Sequence, residues 1–349
     1  GSVFFIDARD HHRFLRPSSH DAVQADSMSP SEVGAAVSVL LGLNPPASLS
    51  AASSSKLNEI LMPNPFDRPR AVFMLEVSGV KDSSLTIDPA SAIISHAIKR
   101  KALESDIGRI ELPAEEVTAV SLDEAVSDVT DKELAEFAFW FGGSYVVDEV
   151  EALNGEMILP LYSGATLTLH ISKKADREFI ASLLALYHNS QKAVDLHEDL
   201  LQGTRRPAEL LMGRFGGLKA LQAQDVSNDI LNQGVEVLLV TLSKLLASMQ
   251  VAYKDEIVAV VLFRGAPLSE AETLLDVVHT SSPSARVLAE TQGSPNATII
   301  ALAERALVRK TLAWITGIIL LISTFMGIYL LLNMPITRDT LLYSNVKLD

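Results

Sequence analysis

The sequence predicts a mixed α/β domain followed by one transmembrane α-helix and a short polar tail. Three observations carry this expectation. Short β-branched and aromatic runs alternate with capped, helix-periodic stretches through most of the chain. Then come 22 consecutive uncharged residues, Thr311 to Leu332, and after them a polar stretch that includes Arg338-Asp339 and Lys347-Leu348-Asp349. The boundaries so drawn are 1–300 for the α/β domain, 301–310 for a juxtamembrane segment, 311–332 for the helix and 333–349 for the tail.

The elements follow in order. VFFI (Val3 to Ile6) reads as a strand. Ser29-Pro30-Ser31-Glu32 is a capping box with proline at the first helical position, opening a helix that stops at Gly42. Asn44 to Ser55 and Pro63 to Arg70, dense in Pro, Ser and Asn, read as loops, with the strand AVFMLEV (Ala71 to Val77) after them. Thr130-Asp131-Lys132-Glu133 repeats the capping box before LAEFAFWF, which ends at Gly142-Gly143. Met157 to Ile171 reads as a hairpin turning at Ser163-Gly164. Longer helices are expected at about Asp176 to Leu201 and Asp229 to Met249, and IVAVVLF (Ile257 to Phe263) as a buried strand. No repeat of 20 to 50 residues is visible.

Thr311 to Leu332 is about 33 Å of helix with no residue charged at neutral pH, enough to cross a hydrocarbon core of roughly 30 Å. Asp229 to Met249 is nearly as long but carries Asp229, Glu236 and Lys244, so it is expected as a core helix of the head. At 100° per residue, Ala313, Gly317, Ser323 and Gly327 share an arc of about 120° with Thr316 and Thr324. That small, weakly polar face allows another helix to approach closely, the usual means of association where lipid removes the hydrophobic drive. Proton relays need a carboxylate, histidine or base within the membrane, and this span has none.

The formal net charge of −14 belongs entirely to the part before Thr311, because Arg338 and Lys347 cancel Asp339 and Asp349. An acidic head with no basic stripe repels phosphate backbones, so no nucleic-acid partner is expected; membrane lipid is. The chain has no cysteine, which excludes disulfides, thiolate nucleophiles and cysteine metal sites. For orientation, Arg305, Arg309 and Lys310 precede the span and Arg338 and Lys347 follow it, a slight bias toward a cytosolic head. Against that bias, Asn296-Ala297-Thr298 is a glycosylation sequon. The opening GSVFFIDARD lacks an initiator Met, as after removal of a signal peptide, although Gly-Ser is equally the remnant of an engineered leader. The expected topology is a luminal head and a cytosolic tail.

Asp7 to His12 (DARDHH) has metal-ligand residue types, but adjacent His11 and His12 would point apart on a strand, and a solvated loop is the expectation. His197-Glu198 begins like a zinc-protease motif, yet Leu201 stands where the second histidine is required. GRFGGLK (Gly213 to Lys219) lacks the G-x-G-x-x-G order and reads as a turn between helices with no strand leading in. No G-x-S-x-G elbow is present. No enzyme activity, metal or cofactor is expected.

At the C-terminal end, Asn333-Met334, Asp339-Thr340-Leu341-Leu342-Tyr343 and Lys347-Leu348-Asp349 resemble the end of the V-type proton ATPase accessory protein 2 or (pro)renin receptor family. Asp26 to Val77 is similar to the plant branch of that family, and the matching stretches cover about a third of the chain. The resemblance implies a non-catalytic, single-pass type I glycoprotein that assists assembly of the proton-pumping ATPase and so supports proton transport and vacuolar acidification. Its helix would pack with the rotor c-ring. Its tail would dock on the cytosolic side near the central-stalk subunit d, through Asp339, Leu341, Leu342, Tyr343, Lys347 and Asp349. Its location would be the membrane of the endoplasmic reticulum, Golgi, endosome or vacuole. The chain departs from the pattern in three places. RALVRK (Arg305 to Lys310) has a loose dibasic end where relatives carry a multibasic cleavage site, the tail is shorter than in animals, and Lys347 stands without the second lysine of a retrieval signal. The alternative reading is a type I sorting receptor or cargo adaptor, with a ligand-binding head and Leu341-Leu342 and Tyr343 read by sorting machinery.

Overall fold

The computed structural model describes residues 1–7, 13–16, 27–46, 49–62, 64, 67–80, 97–103, 107–113, 116–125, 129–147, 155–202, 206–224, 229–265, 274–280, 320–326 and 328–329. The chain divides into two compact units, Gly1–Ser282 and Pro283–Asp349.

The first unit is built on β1 (Ser2–Ile6), β2 (Ser27–Met28), α1 (Pro30–Leu40), α2 (Ala51–Ile60), β3 (Ala71–Ser78), β4 (Ile98–Ala102), β5 (Gly108–Pro113) and β6 (Val117–Ser121). It continues through α3 (Asp131–Phe141), β7 (Ser144–Val146), β8 (Glu156–Pro160), β9 (Thr166–His170) and α4 (Lys174–Gln202). It closes with β10 (Ala208–Phe215), α5 (Gly217–Gln224), α6 (Asp229–Ala252), β11 (Ile257–Arg264) and β12 (Leu275–Thr280). Seven strands form the main sheet in the order β2-β4-β1-β11-β3-β10-β6. β11, β3, β10 and β6 run parallel, whereas β1 is antiparallel to both of its neighbours, β4 and β11.

Side chains alternate across a strand, so the sheet serves two cores. Phe73, Leu75, Val77, Ala259, Val261 and Phe263 face one core, which α3, α4, α5, α6 and the β7-β8-β9 sheet cover. Val72, Met74, Val258, Val260 and Leu262 face the other, covered by α1, α2 and the parallel pair β5-β12. Strands buried on both faces read as unbroken apolar runs, which is why β3 and β11 are visible in the sequence. The architecture is mixed α/β, as the sequence predicts.

Both capping boxes form. Ser29 Oγ accepts from the Glu32 amide at 3.2 Å while Glu32 accepts from the Ser29 amide at 2.9 Å, and Thr130 and Glu133 do the same at 3.3 and 2.9 Å. Gly142 closes α3 in the left-handed region at φ 94°, a conformation that costs glycine little. The β8-β9 hairpin pairs as expected, with Gly164 at φ 79° in its turn.

Two expectations need correction. Ala51 to Ser55 are not loop: Ser50 caps them, its hydroxyl accepting from the Ser53 amide at 3.1 Å, and they open α2. A strand does lead into GRFGGLK, because β10 holds Gly213 to Phe215. The glycine turn therefore joins a central parallel strand to α5, and does not link two helices. The polar ends of β10 hid its apolar centre. α6, expected as a core helix, is the only helix among the described residues with the length and apolarity to cross a membrane. Yet Leu231, Val235, Leu238, Leu242 and Leu245 join the first core, which is the packing of a core helix.

In the second unit, residues 320–326 and 328–329 are helical. Leu320, Leu321, Ile322, Phe325, Met326, Ile328 and Tyr329 are 53 to 66% exposed there. Thr324 turns its hydroxyl back onto the carbonyls of Leu320 and Leu321 at 3.0 and 2.8 Å, the local solution for a polar side chain on an apolar helix.

Candidate functional site

Of the residues expected to pack the membrane helix, Ser323 and Thr324 are described, both within the exposed apolar helix. Ala313, Thr316, Gly317 and Gly327 lie outside the described residues, as do the tail residues Asp339, Leu341, Leu342, Tyr343, Lys347 and Asp349 and the sequon residue Asn296.

In the head, the polar residues that sequence reading singled out go to different places. Asp7 is buried at the end of β1, where one carboxylate oxygen accepts from the amides of Phe14 and Leu15 at 2.9 and 3.1 Å. Gln250 donates to its backbone carbonyl at 3.4 Å. Asp7 thus clamps the segment that returns beside the Leu15 to Leu61 bridge. Residues 8–12, with His11 and His12, lie outside the described residues. Among the described residues no group of three or more His, Cys, Asp or Glu has the geometry to hold a metal ion.

His197 is where the structure adds most. Its ring is 3% exposed on α4, and Nδ1 lies 2.8 Å from Oε1 of Glu209, which is fully buried near the start of β10. Tyr253, just past α6, donates its hydroxyl to Glu209 Oε2 at 2.8 Å, and its ring lies 3.9 Å from the His197 ring. Burial, with the Glu209 charge beside it, holds the Tyr253 phenol well above its ordinary range. Arg70, at the edge of β3, brings Nε to 3.7 Å from Glu209 Oε1 and donates from Nη1 to the Arg206 carbonyl at 2.6 Å. One carboxylate so collects an imidazole, a phenol and a guanidinium from three separate parts of the chain. Sequence reading tied His197 to Glu198, its neighbour in the chain. The working partner is twelve residues on, and only the parallel pairing of β10 with β3 brings Arg70 beside it.

A second buried pair sits at the opposite, carboxyl ends of the strands. Arg264 Nη1 donates to Glu76 Oε1 at 2.7 Å, and the same oxygen receives the Leu274 amide at 3.4 Å, tying β12 to the sheet. Between α1 and α2 lies a cleft of about 420 Å³ with an apolar floor including Leu57 and Leu61. Asn44, Asn58 and Arg68 stand in its lining. Arg68 donates to the Leu41 carbonyl at 3.0 Å, capping α1 where Gly42 turns at φ 78°.

Fold and polar clusters together define a three-layer α/β domain on a mostly parallel seven-stranded sheet, braced by two buried carboxylate–arginine systems at opposite ends of its strands. The chain belongs to the family described as domain of unknown function DUF7794, which matches residues 1–265 and so ends just after β11. No curated protein and no solved structure matches the chain.

Proposed function

We propose that this protein is a non-catalytic, single-pass accessory or assembly subunit of the vacuolar-type proton-pumping ATPase. Its α/β head is luminal, its helix packs with the rotor c-ring, and its tail docks on the cytosolic side near the central-stalk subunit d. The observation that carries the reading is the helical stretch at 320–326 and 328–329. It presents large apolar side chains outward, and the 22-residue run around it contains no Asp, Glu, Lys, Arg or His. Such a helix suits packing beside proton-carrying helices without competing for their protons. The tail residues that resemble the accessory family supply the second support, and the small face of the span, with Ser323 and Thr324, supplies the third.

The test is purification in mild detergent through a tag on the head, with mass spectrometry of what stays bound. The tagged product is first sized, so that a clipped helix is recognised. Stoichiometric recovery of the pump's membrane-sector subunits is expected, and replacement of Gly317 and Gly327 by leucine should reduce that recovery at least about tenfold. Recovery of sorting adaptors or a luminal ligand, with the membrane sector absent, would overturn the reading in favour of a receptor.

A further inference from the structure

The cleft of about 420 Å³ between α1 and α2 has the size of a small-ligand site, for which about 300–1,000 Å³ is usual. Ser54, Leu57, Asn58 and Leu61 line it at the spacing of one face of α2 and its C-terminal cap. Leu57 and Leu61 are buried at its floor. Val39, Leu43 and Leu49 pack against the second core and yet stay half-buried in its wall. Apolar surface in a concavity that water still reaches is surface that an aliphatic chain covers favourably.

One cation stands among the described lining residues. Arg68 is exposed, and its Nη1 donates to the Leu41 carbonyl at 3.0 Å. A Cβ on Gly42 would overlap the Arg68 side chain, so the guanidinium is laid against the turn that leads from α1 to Leu43 in the cleft wall. The bond to Leu41 uses one of five N–H groups and leaves the edge formed by Nε and Nη2 unbonded among the described residues. Asp67, the chain neighbour, is taken by Arg13, whose Nε donates to it at 2.8 Å. No Asp or Glu stands among the described lining residues, although the chain has 43 acidic residues against 29 Lys and Arg. A held guanidinium without a carboxylate of its own thus borders an apolar cleft.

We propose that the cleft between α1 and α2 binds a free aliphatic carboxylic acid of medium chain length. Its carboxylate accepts from Nε and Nη2 of Arg68, a bidentate pairing that the planar fork of arginine matches. Its chain runs past Leu43 over Leu57 and Leu61. Asn44 and Asn58, the amides in the lining, are neutral and leave the charge of Arg68 uncompensated. An alcohol of the same chain lacks the charge, and an ammonium is repelled by the arginine. The site lies in the head and is independent of the pump-assembly reading.

The experiment uses the full chain in detergent micelles and three photoreactive probes: octanoic acid, octanol and octylammonium, each with a diazirine near the end of the chain. Cross-linked peptides are mapped by mass spectrometry. Labelling of the apolar run Thr311 to Leu332, held in the micelle, normalises each probe for partition. Saturable labelling of peptides holding Leu43, Leu49 or Leu57 by the acid is expected at about 1 mM, roughly tenfold above the alcohol, and unlabelled octanoate should compete it away. Arg68→Gln should lower the acid's labelling about tenfold and leave the alcohol's unchanged. Asn58→Asp adds a charge to the lining at an exposed helical position and leaves the bond from Arg68 to Leu41 in place. It should weaken the acid about fivefold while strengthening octylammonium, and it decides the matter where Arg68→Gln fails to fold. Equal normalised labelling by acid and alcohol would overturn the proposal. So would acid labelling that is indifferent to Arg68→Gln in a folded variant or to Asn58→Asp, or the absence of saturable labelling in the cleft.

Discussion

Glu209 shows how much a single buried carboxylate can organise. Oxygens with no exposure to water must find donors, and here His197, Tyr253 and Arg70 come from three different elements to supply them. Removing one partner of such a cluster leaves the others buried and unbalanced. Glu209→Ala is therefore expected to destabilise the head by about 3–5 kcal/mol, read as a drop in thermal unfolding temperature by near-ultraviolet circular dichroism. Tyr253 gives a pH signature with a definite sign. Its folded phenol titrates above its unfolded value of about 10, so its stabilising contribution is intact below pH 10 and is lost as pH rises beyond it. Tyr253→Phe should flatten the alkaline limb of a stability–pH curve measured between about pH 9 and 11, at the cost of one donor to Glu209. None of this was visible from spacing, because His197 and Glu209 are joined through tertiary packing.

At the scale of elements, what the sequence announced was local. Ser29-to-Glu32 and Thr130-to-Glu133 are patterns of four residues whose hydrogen bonds close within themselves, and both formed as read. Thr130→Ala should cost about 1 kcal/mol, measured by thermal unfolding. The capping bonds also hold the Glu133 carboxyl below its usual range, chiefly through the Thr130 amide. That contribution is therefore present above the unfolded carboxyl's range and fades as pH falls through the folded value. The wild-type advantage over Thr130→Ala should accordingly shrink in acid. α2 was missed because alanines and serines carry no apolar stripe, and its cap was hidden among the residues that suggested a loop. β10 was missed because Glu209 and Arg214 break its apolar run, and their burial or pairing is settled only by the neighbouring elements. Lys244 belongs to the same class. In the sequence it only marks α6 as a core helix, whereas in the fold it donates to the last carbonyls of α3 while burial pulls its ammonium below the ordinary lysine range.

For the whole molecule, the class was readable from the alternation of apolar runs and capped helices, but the strand order was not, because nothing in β1 specifies that it runs against its neighbours. The two faces of the sheet are covered to different depths, and β3, β10 and β11 sit between both cores. Their amides should be the last to exchange with deuterium, opening only with global unfolding, whereas those of the narrow β5-β12 pair should exchange earlier. Native-state exchange followed by mass spectrometry checks this directly. Early exchange in β11 would mean that the reversed strand beside it does not hold.

That reversed strand also sets an order of events during synthesis. Ser2 lies opposite Phe263, so β1 acquires its partner on that side only after about 260 further residues have been made. At about 5–20 residues per second the wait is on the order of 10 to 50 seconds, during which an apolar strand edge meant for the middle of the sheet has no native neighbour there. The head is thus a clasp whose first piece is delivered early and whose catch arrives late, and a nascent chain of this kind has a long interval in which holding factors can engage it.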